Sequence, residues 1–358
     1  MIQFILSAKQ TQIYLISIII IGFFACKNNP TSPNTTEQAT FDDPRSGAAL
    51  AASFDGNKLV EWPDLDSIKN RRTYNIEMTR AVYLGHLNDV KGYLLYGRAF
   101  MENGQVENAA DIFSKGILKF ENTPDLYQAR GESLLKSRQL TAAIDDLWKA
   151  GQKMENTPNP KGIIGMGLID SIADMTLQYK NYLLMGIAFQ CNNDFSNADK
   201  MFEVCGDFST NSDLWVRSYY WQYSCYTRSN RMADAKSILS SVNDKMQILP
   251  SSKPYLDAML HYKGTLAEKD FIDLEHPPKN SVDAEPWIIG AYAVGVKALL
   301  DKDQTKAIDV FKKILATGYW TLLPYIAAEG EMAHMKGVVI KDAEEIQLNT
   351  QEKRRNTK

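Results

Sequence analysis

From Val90 onward, apolar side chains recur three and four positions apart, the spacing of amphipathic helices. Short polar turns such as Glu102-Asn103-Gly104 and Lys136-Ser137-Arg138-Gln139 separate the apolar blocks. The blocks also resemble one another. Tyr93, Gly97, Phe100, Ala109 and Phe113 set a pattern, and adding 34 to each number gives Tyr127, Gly131, Leu134, Ala143 and Leu147. The same offsets return at Tyr182, Gly186, Phe189, Ala198 and Phe202. A period of this length predicts helix-turn-helix units that bury a core only by stacking on their neighbours. The chain therefore reads as all-α, a superhelical solenoid with divergent C-terminal repeats.

The small residues in the pattern have a physical reason. Gly97, Gly131 and Gly186 fall inside predicted helices, where glycine costs roughly 0.8–1.0 kcal/mol relative to alanine. Such a cost is offset where a partner helix crosses closely. Ala109, Ala143 and Ala198, each twelve residues later, are expected on the far side of that contact.

The regular repeats span 90–157 and 179–248, with 158–178 between them as an insertion. That segment carries Asn159-Pro160, Gly162, Gly165 and Gly167, then an apolar helical stretch. It reads either as a loop with a helix extension or as a segment lining the binding face, where solenoid insertions often fall. The fourth repeat keeps Tyr219, Tyr226, Ala235 and Leu239, but Tyr223 replaces the glycine, so looser helix contact is expected there. Periodicity lapses over 249–286 and returns over 287–336 with Gly295, Ala307 and Phe311, followed by a last helix near Leu322 to Met335 that would cap the stack. A helix within 63–89, opened by Pro63-Asp64, would cap the other end. The charged tail 337–358 is expected to be solvated.

The N-terminus departs from this plan. Lys9 precedes an apolar run from Ile13 to Ala25, and Cys26 follows. The run is short for a bilayer span and has the layout of a signal peptide over 1–25, with an uncleaved N-terminal anchor as the alternative. The stretch 26–62 begins KNNPTSPNTTEQAT after the cysteine, a polar sequence unable to build a core, and reads as a tether.

Net charge is −3. Without a basic excess, nucleic acid is not an expected partner. Four histidines, His86, His261, His276 and His334, stand far apart, and none has a second ligand at helical spacing, so no metal or cofactor is expected. Nucleophile elbows and Walker loops are absent from the sequence, and the chain is read as non-catalytic. Cys191, Cys205 and Cys225 read as small buried residues, with pairing of Cys205 and Cys225 as the alternative.

The Tyr93-x-x-x-Gly97-x-x-Phe100…Ala109-x-x-x-Phe113 layout resembles the tetratricopeptide repeat (TPR) family. The family's usual tryptophan near the repeat start is tyrosine here. Family proteins bind peptides or domains in a concave groove lined by each repeat's first helix. The resemblance places Leu94, Arg98, Gln128, Glu132, Leu183 and Ile187 in that groove. These residues do not match the lysine and asparagine clamp with which one subgroup holds a C-terminal carboxylate. In the aromatic run from Trp215 to Tyr223, Tyr220 or Trp221 is a candidate binding anchor, with a core position as the favoured alternative.

Phe23-Phe24-Ala25-Cys26 is similar to the lipobox of bacterial lipoproteins, in which the cysteine is lipidated and becomes the first mature residue. Together with the repeats it resembles envelope adaptors of the new-lipoprotein-I type. The resemblance implies a scaffold in the bacterial cell envelope, anchored at Cys26, facing the periplasm or the cell surface, with a protein partner of the envelope. The alternative is a glycan- or nutrient-binding lipoprotein in which Trp215, Trp221 and Trp287 report on the ligand.

Overall fold

Five tight turns share one backbone signature. In the computed structural model, which describes residues 49–155, 175–338 and 340, Gly104, Arg138, Asn193, Asn230 and Lys302 all adopt left-handed backbone, with φ between 59° and 76°. Each stands seven residues after the glycine position of its repeat, namely Gly97, Gly131, Gly186, Tyr223 and Gly295. The next N–H closes each turn by donating to the carbonyl of Phe100, Leu134, Phe189, Tyr226 or Ala298, at 2.7–3.0 Å. This bond holds four non-glycine residues in a conformation that L side chains disfavour by roughly 1–2 kcal/mol.

Thirteen helices are present among the described residues. A two-residue strand pair comes first, β1 (Ala51–Ala52) antiparallel to β2 (Lys58–Leu59). Next are α1 (Asp66–Gly85), α2 (Val90–Glu102), α3 (Val106–Lys119), α4 (Pro124–Lys136) and α5 (Leu140–Met154). The middle of the chain forms α6 (Leu177–Cys191), α7 (Phe195–Asp207), α8 (Ser212–Arg228), α9 (Met232–Ser240) and α10 (Lys253–Lys263). The last three are α11 (Ser281–Leu300), α12 (Gln304–Ala316) and α13 (Leu323–Met335). The five turns join α2–α3, α4–α5, α6–α7, α8–α9 and α11–α12. Consecutive helices pack side by side throughout, giving an all-α, TPR-like solenoid.

The glycines sit where the hairpin helices cross. A Cβ on Gly97 would lie 2.3 Å from the Phe113 ring, on Gly186 2.5 Å from Phe202, and on Gly295 2.3 Å from Phe311. On Gly131 it would meet Leu147 at 2.8 Å and the Ala143 carbonyl at 3.2 Å. The side chain pressed onto each glycine is thus the one sixteen residues on. The alanine twelve residues on is buried beside it, and its small size lets the helices close. Where Tyr223 replaces glycine, its ring stacks on Tyr262 of α10 at 4.3 Å between centroids.

The N-terminal segment belongs to the fold from residue 49 rather than to a tether reaching Trp62. Ala51, Leu59 and Trp62 are buried. The Trp62 ring covers Gly104, and it meets Trp320 edge-on at 5.9 Å between centroids. The segment expected to be a signal peptide, Cys26 and most of the expected insertion fall outside the described residues. Met175 to Gln178 is described, and it is buried.

Candidate functional site

The first helices of the repeats, α2, α4, α6 and α8, carry the residues expected to line the groove. The structure encloses most of them. Leu94 and Ile187 are fully buried, Tyr220 retains 1% exposure, Gln128 2%, Glu132 8% and Leu183 9%. Arg98 is half-buried. The expected open groove is therefore corrected to a covered one over much of its length.

Over Tyr220 and the end of α6 the cover is the chain's own C-terminal part. Tyr220 donates from its hydroxyl to the Ile289 carbonyl of α11 at 2.9 Å, so it is a core contact and not a free anchor. Gln190 at the end of α6 donates to the Tyr292 hydroxyl at 2.7 Å. Helix α13 lies along the same line. Gly330 faces the Cys191 backbone, where a Cβ would come within 3.1 Å of the carbonyl oxygen, and a His334 ring nitrogen lies 3.1 Å from that oxygen. Glu331 pairs with Arg228 of α8 through two contacts at 2.8 and 2.9 Å. Gln128, by contrast, is taken up between neighbouring repeats, donating to the Leu177 carbonyl at 2.7 Å.

A second buried pair joins the α4–α5 turn to α13. Arg138, in the α4–α5 turn, binds Glu329 of α13 at 2.7 and 3.3 Å and donates to the Trp320 carbonyl at 3.0 Å. Glu329 also accepts the Phe54 N–H at 2.6 Å, and Trp320 donates to the Val60 carbonyl at 2.7 Å. The two ends of the described chain therefore meet over one repeat turn. Sequence reasoning missed Arg138, Gln190, Cys191 and Arg228. The available signal was Glu329 and Glu331 within the otherwise apolar α13, since a carboxylate buried there needs a cation.

The sector of the concave face over α2 and α4 is charged. Glu132 lies between Lys136 and Lys180 at 2.8 and 3.0 Å. Burial pushes its carboxyl up, but the two ammonium groups outweigh burial and hold it well below the usual carboxylate range. Glu102 responds oppositely. Burial raises its pKa, against the pull of Lys136, Arg98, Arg71 and Arg72. Arg71 is exposed. Cations outnumber carboxylates in this sector, and Arg71 is its most exposed member.

Elsewhere, Trp221 is buried in the core, while Trp215 is exposed on α8. Trp287 lines a cavity of about 360 Å³ with Phe271, Pro250, Pro254 and Pro286. Cys191, Cys205 and Cys225 are free and buried. No cluster of metal-ligating side chains occurs among the described residues.

No protein-family model matches the chain, and no curated protein matches it in sequence. Among solved structures, it is similar to YrrB, a TPR protein with an unusual peptide-binding site, at 11% identity and a TM-score of 0.38, covering 68% of this chain and 93% of that one. PilF of Pseudomonas aeruginosa matches at 10% identity and TM-score 0.36, with 71% and 96% covered. The C-terminal part of a TPR repeat-containing protein from Cytophaga hutchinsonii matches at 15% identity and TM-score 0.25, with 70% and 93% covered.

Proposed function

We propose that this chain is a non-catalytic protein-interaction scaffold, held to a membrane of the bacterial cell envelope through lipidated Cys26 and facing the periplasm. Its partner is an envelope protein that presents an acidic segment to the basic sector of the concave face. The observation carrying this reading is the uneven groove. Over α6 and α8 the chain covers its own concave face, while over α2 and α4 Arg71, Arg98, Lys136 and Lys180 outnumber Glu102 and Glu132. The lipobox-like sequence and the polar stretch after it support the anchor and the reach.

A photo-crosslinking amino acid at Arg98, used in native membranes, tests the groove. The proposal expects a protein adduct from position 98 that disappears with Arg71→Glu, and none from Leu118, which is 87% exposed. Equal adducts at both positions, or none at 98, would contradict it. Cys26→Ala tests the anchor and should move the protein out of the membrane fraction.

A second reading, a glycan-binding lipoprotein, draws on the aromatic and proline-lined cavity at Trp287. It expects tryptophan fluorescence to change with oligosaccharide, and the change to vanish in Trp287→Ala.

A further inference from the structure

Residues 50–64 form no helix, yet they touch both the first repeats and the last helices. Asp55-Gly56-Asn57 turns the chain, with Gly56 at φ 81°, and the turn pairs Ala51 with Leu59 and Ala52 with Lys58. On one side the segment rests on the repeats. The Trp62 ring lies over Gly104 in the α2–α3 turn, and the Phe54 ring lies 5.9 Å from the Arg138 guanidinium in the α4–α5 turn. On the other side it holds the C-terminal part. The Phe54 N–H donates to Glu329 at 2.6 Å, and Asp55 pairs with Lys336 at 3.0 Å, so α13 is tied in its middle and at its C-terminal end. Trp320, in the link before α13, donates to the Val60 carbonyl at 2.7 Å. Asp64 accepts the Ser281 N–H at the start of α11 at 3.2 Å.

Helix α13 depends on such ties. It has no hairpin partner, and it packs on α6, α11 and α12, each over a shorter stretch than the two helices of a repeat share. Much of what seats it is ionic. Glu329 and Glu331 are buried opposite Arg138 and Arg228, and the cost of desolvating a buried ion pair cancels much of its attraction. Asp55 and Lys336 meet at the surface, where an ion pair contributes little. Segments held by few apolar contacts open ahead of the global core. Opening here parts Glu329 and Glu331 from Arg138 and Arg228, and both cations stay with the repeats.

We infer that residues 50–64 are a releasable strap that holds α13 over the end of α6, so that the seating of this segment sets whether that part of the groove is closed or open.

The test follows maleimide labelling of the full chain in detergent micelles, in urea below the unfolding transition, read peptide by peptide by mass spectrometry. Cys191 reports on the seam, because Gly330 of α13 packs on its backbone. Cys205 of α7, whose thiol faces the Tyr179 carbonyl of α6, reports on the repeats. Trp62→Ala should speed labelling of Cys191 about tenfold and leave Cys205 near the parent rate. Asp55→Lys, at an exposed position, should speed Cys191 about threefold, the scale of one surface ion pair. The swap Asp55→Lys with Lys336→Asp should return Cys191 to the parent rate. Where Trp62→Ala does not fold, the single charge reversal and its swap decide the question. Cys191 and Cys205 speeding up together would mean general destabilisation and overturn the proposal. An unchanged Cys191 rate in the strap variants, or a swap that restores nothing, would mean that α13 is held without the strap and overturn it equally.

Discussion

Arg138 and Glu329, 191 residues apart in sequence, form a buried two-point ion pair at 2.7 and 3.3 Å. The pair ties the second repeat's turn to the last helix, and the Phe54 N–H and the Trp320 and Lys136 carbonyls add to its hydrogen bonding. Removing one partner leaves a charge desolvated without compensation, which costs about 3–5 kcal/mol. Glu329→Ala is expected to lose that much stability in urea unfolding. Replacing both residues by apolar ones of similar size, Arg138→Met with Glu329→Leu, should recover most of the loss.

The helix crossings give a second expectation. An alanine at Gly97 or Gly295 must push the facing phenylalanine ring, since the new Cβ would start at 2.3 Å. Overpacking of this kind costs about 1–3 kcal/mol. Gly85→Ala, in open space at the end of α1, should be neutral or stabilising by up to about 1 kcal/mol. Parallel denaturant titrations of the three variants check the contrast.

Asp199 supplies a pH dependence. Its carboxyl is pushed up to about 6 by burial and by the charge of Glu203, with Asp234 adding to this and Arg231 opposing it. A carboxyl that holds its proton more tightly in the folded state favours folding while protonated. That contribution is complete below the ordinary value of 3.8 and is lost as pH rises through about 6. Asp199→Asn cannot ionise. Its Tm should therefore fall less than that of the parent chain between those two pH values, and an equal fall would refute the assignment.

The three buried cysteines should be chemically silent. Burial raises the thiol pKa of Cys191, Cys205 and Cys225, which starves them of the reactive thiolate. A maleimide should label none of the three in the native protein and all three in denaturant, as read by mass spectrometry.

What the sequence revealed and what it hid divide along a physical line. Helix crossings at Gly97, Gly131 and Gly186 leave a period because each repeat solves the same local packing problem. The turn positions from Gly104 to Lys302 fall in the same register, although the side chain there varies freely. The residues expected in the groove lie on α2, α4, α6 and α8, and their burial was not legible. Leu94 and Tyr220 are buried, and the contact covering Tyr220 comes from Ile289 of α11, 69 residues along the chain. Such contacts pair residues 69 to 191 positions apart and leave no spacing to read. The pairs Arg138–Glu329 and Arg228–Glu331 could be suspected only from carboxylates in an apolar helix.

The central structural claim is that the chain's own C-terminal half fills its concave face, with α13 against α6. Hydrogen exchange of α6 amides, compared between the intact chain and one ending at Leu322, tests it directly. The account predicts that Leu177–Cys191 is among the slowest-exchanging segments of the intact protein and exchanges at least tenfold faster once α13 is removed. Exchange of α6 that is unchanged by the truncation would mean that α13 does not cover the groove.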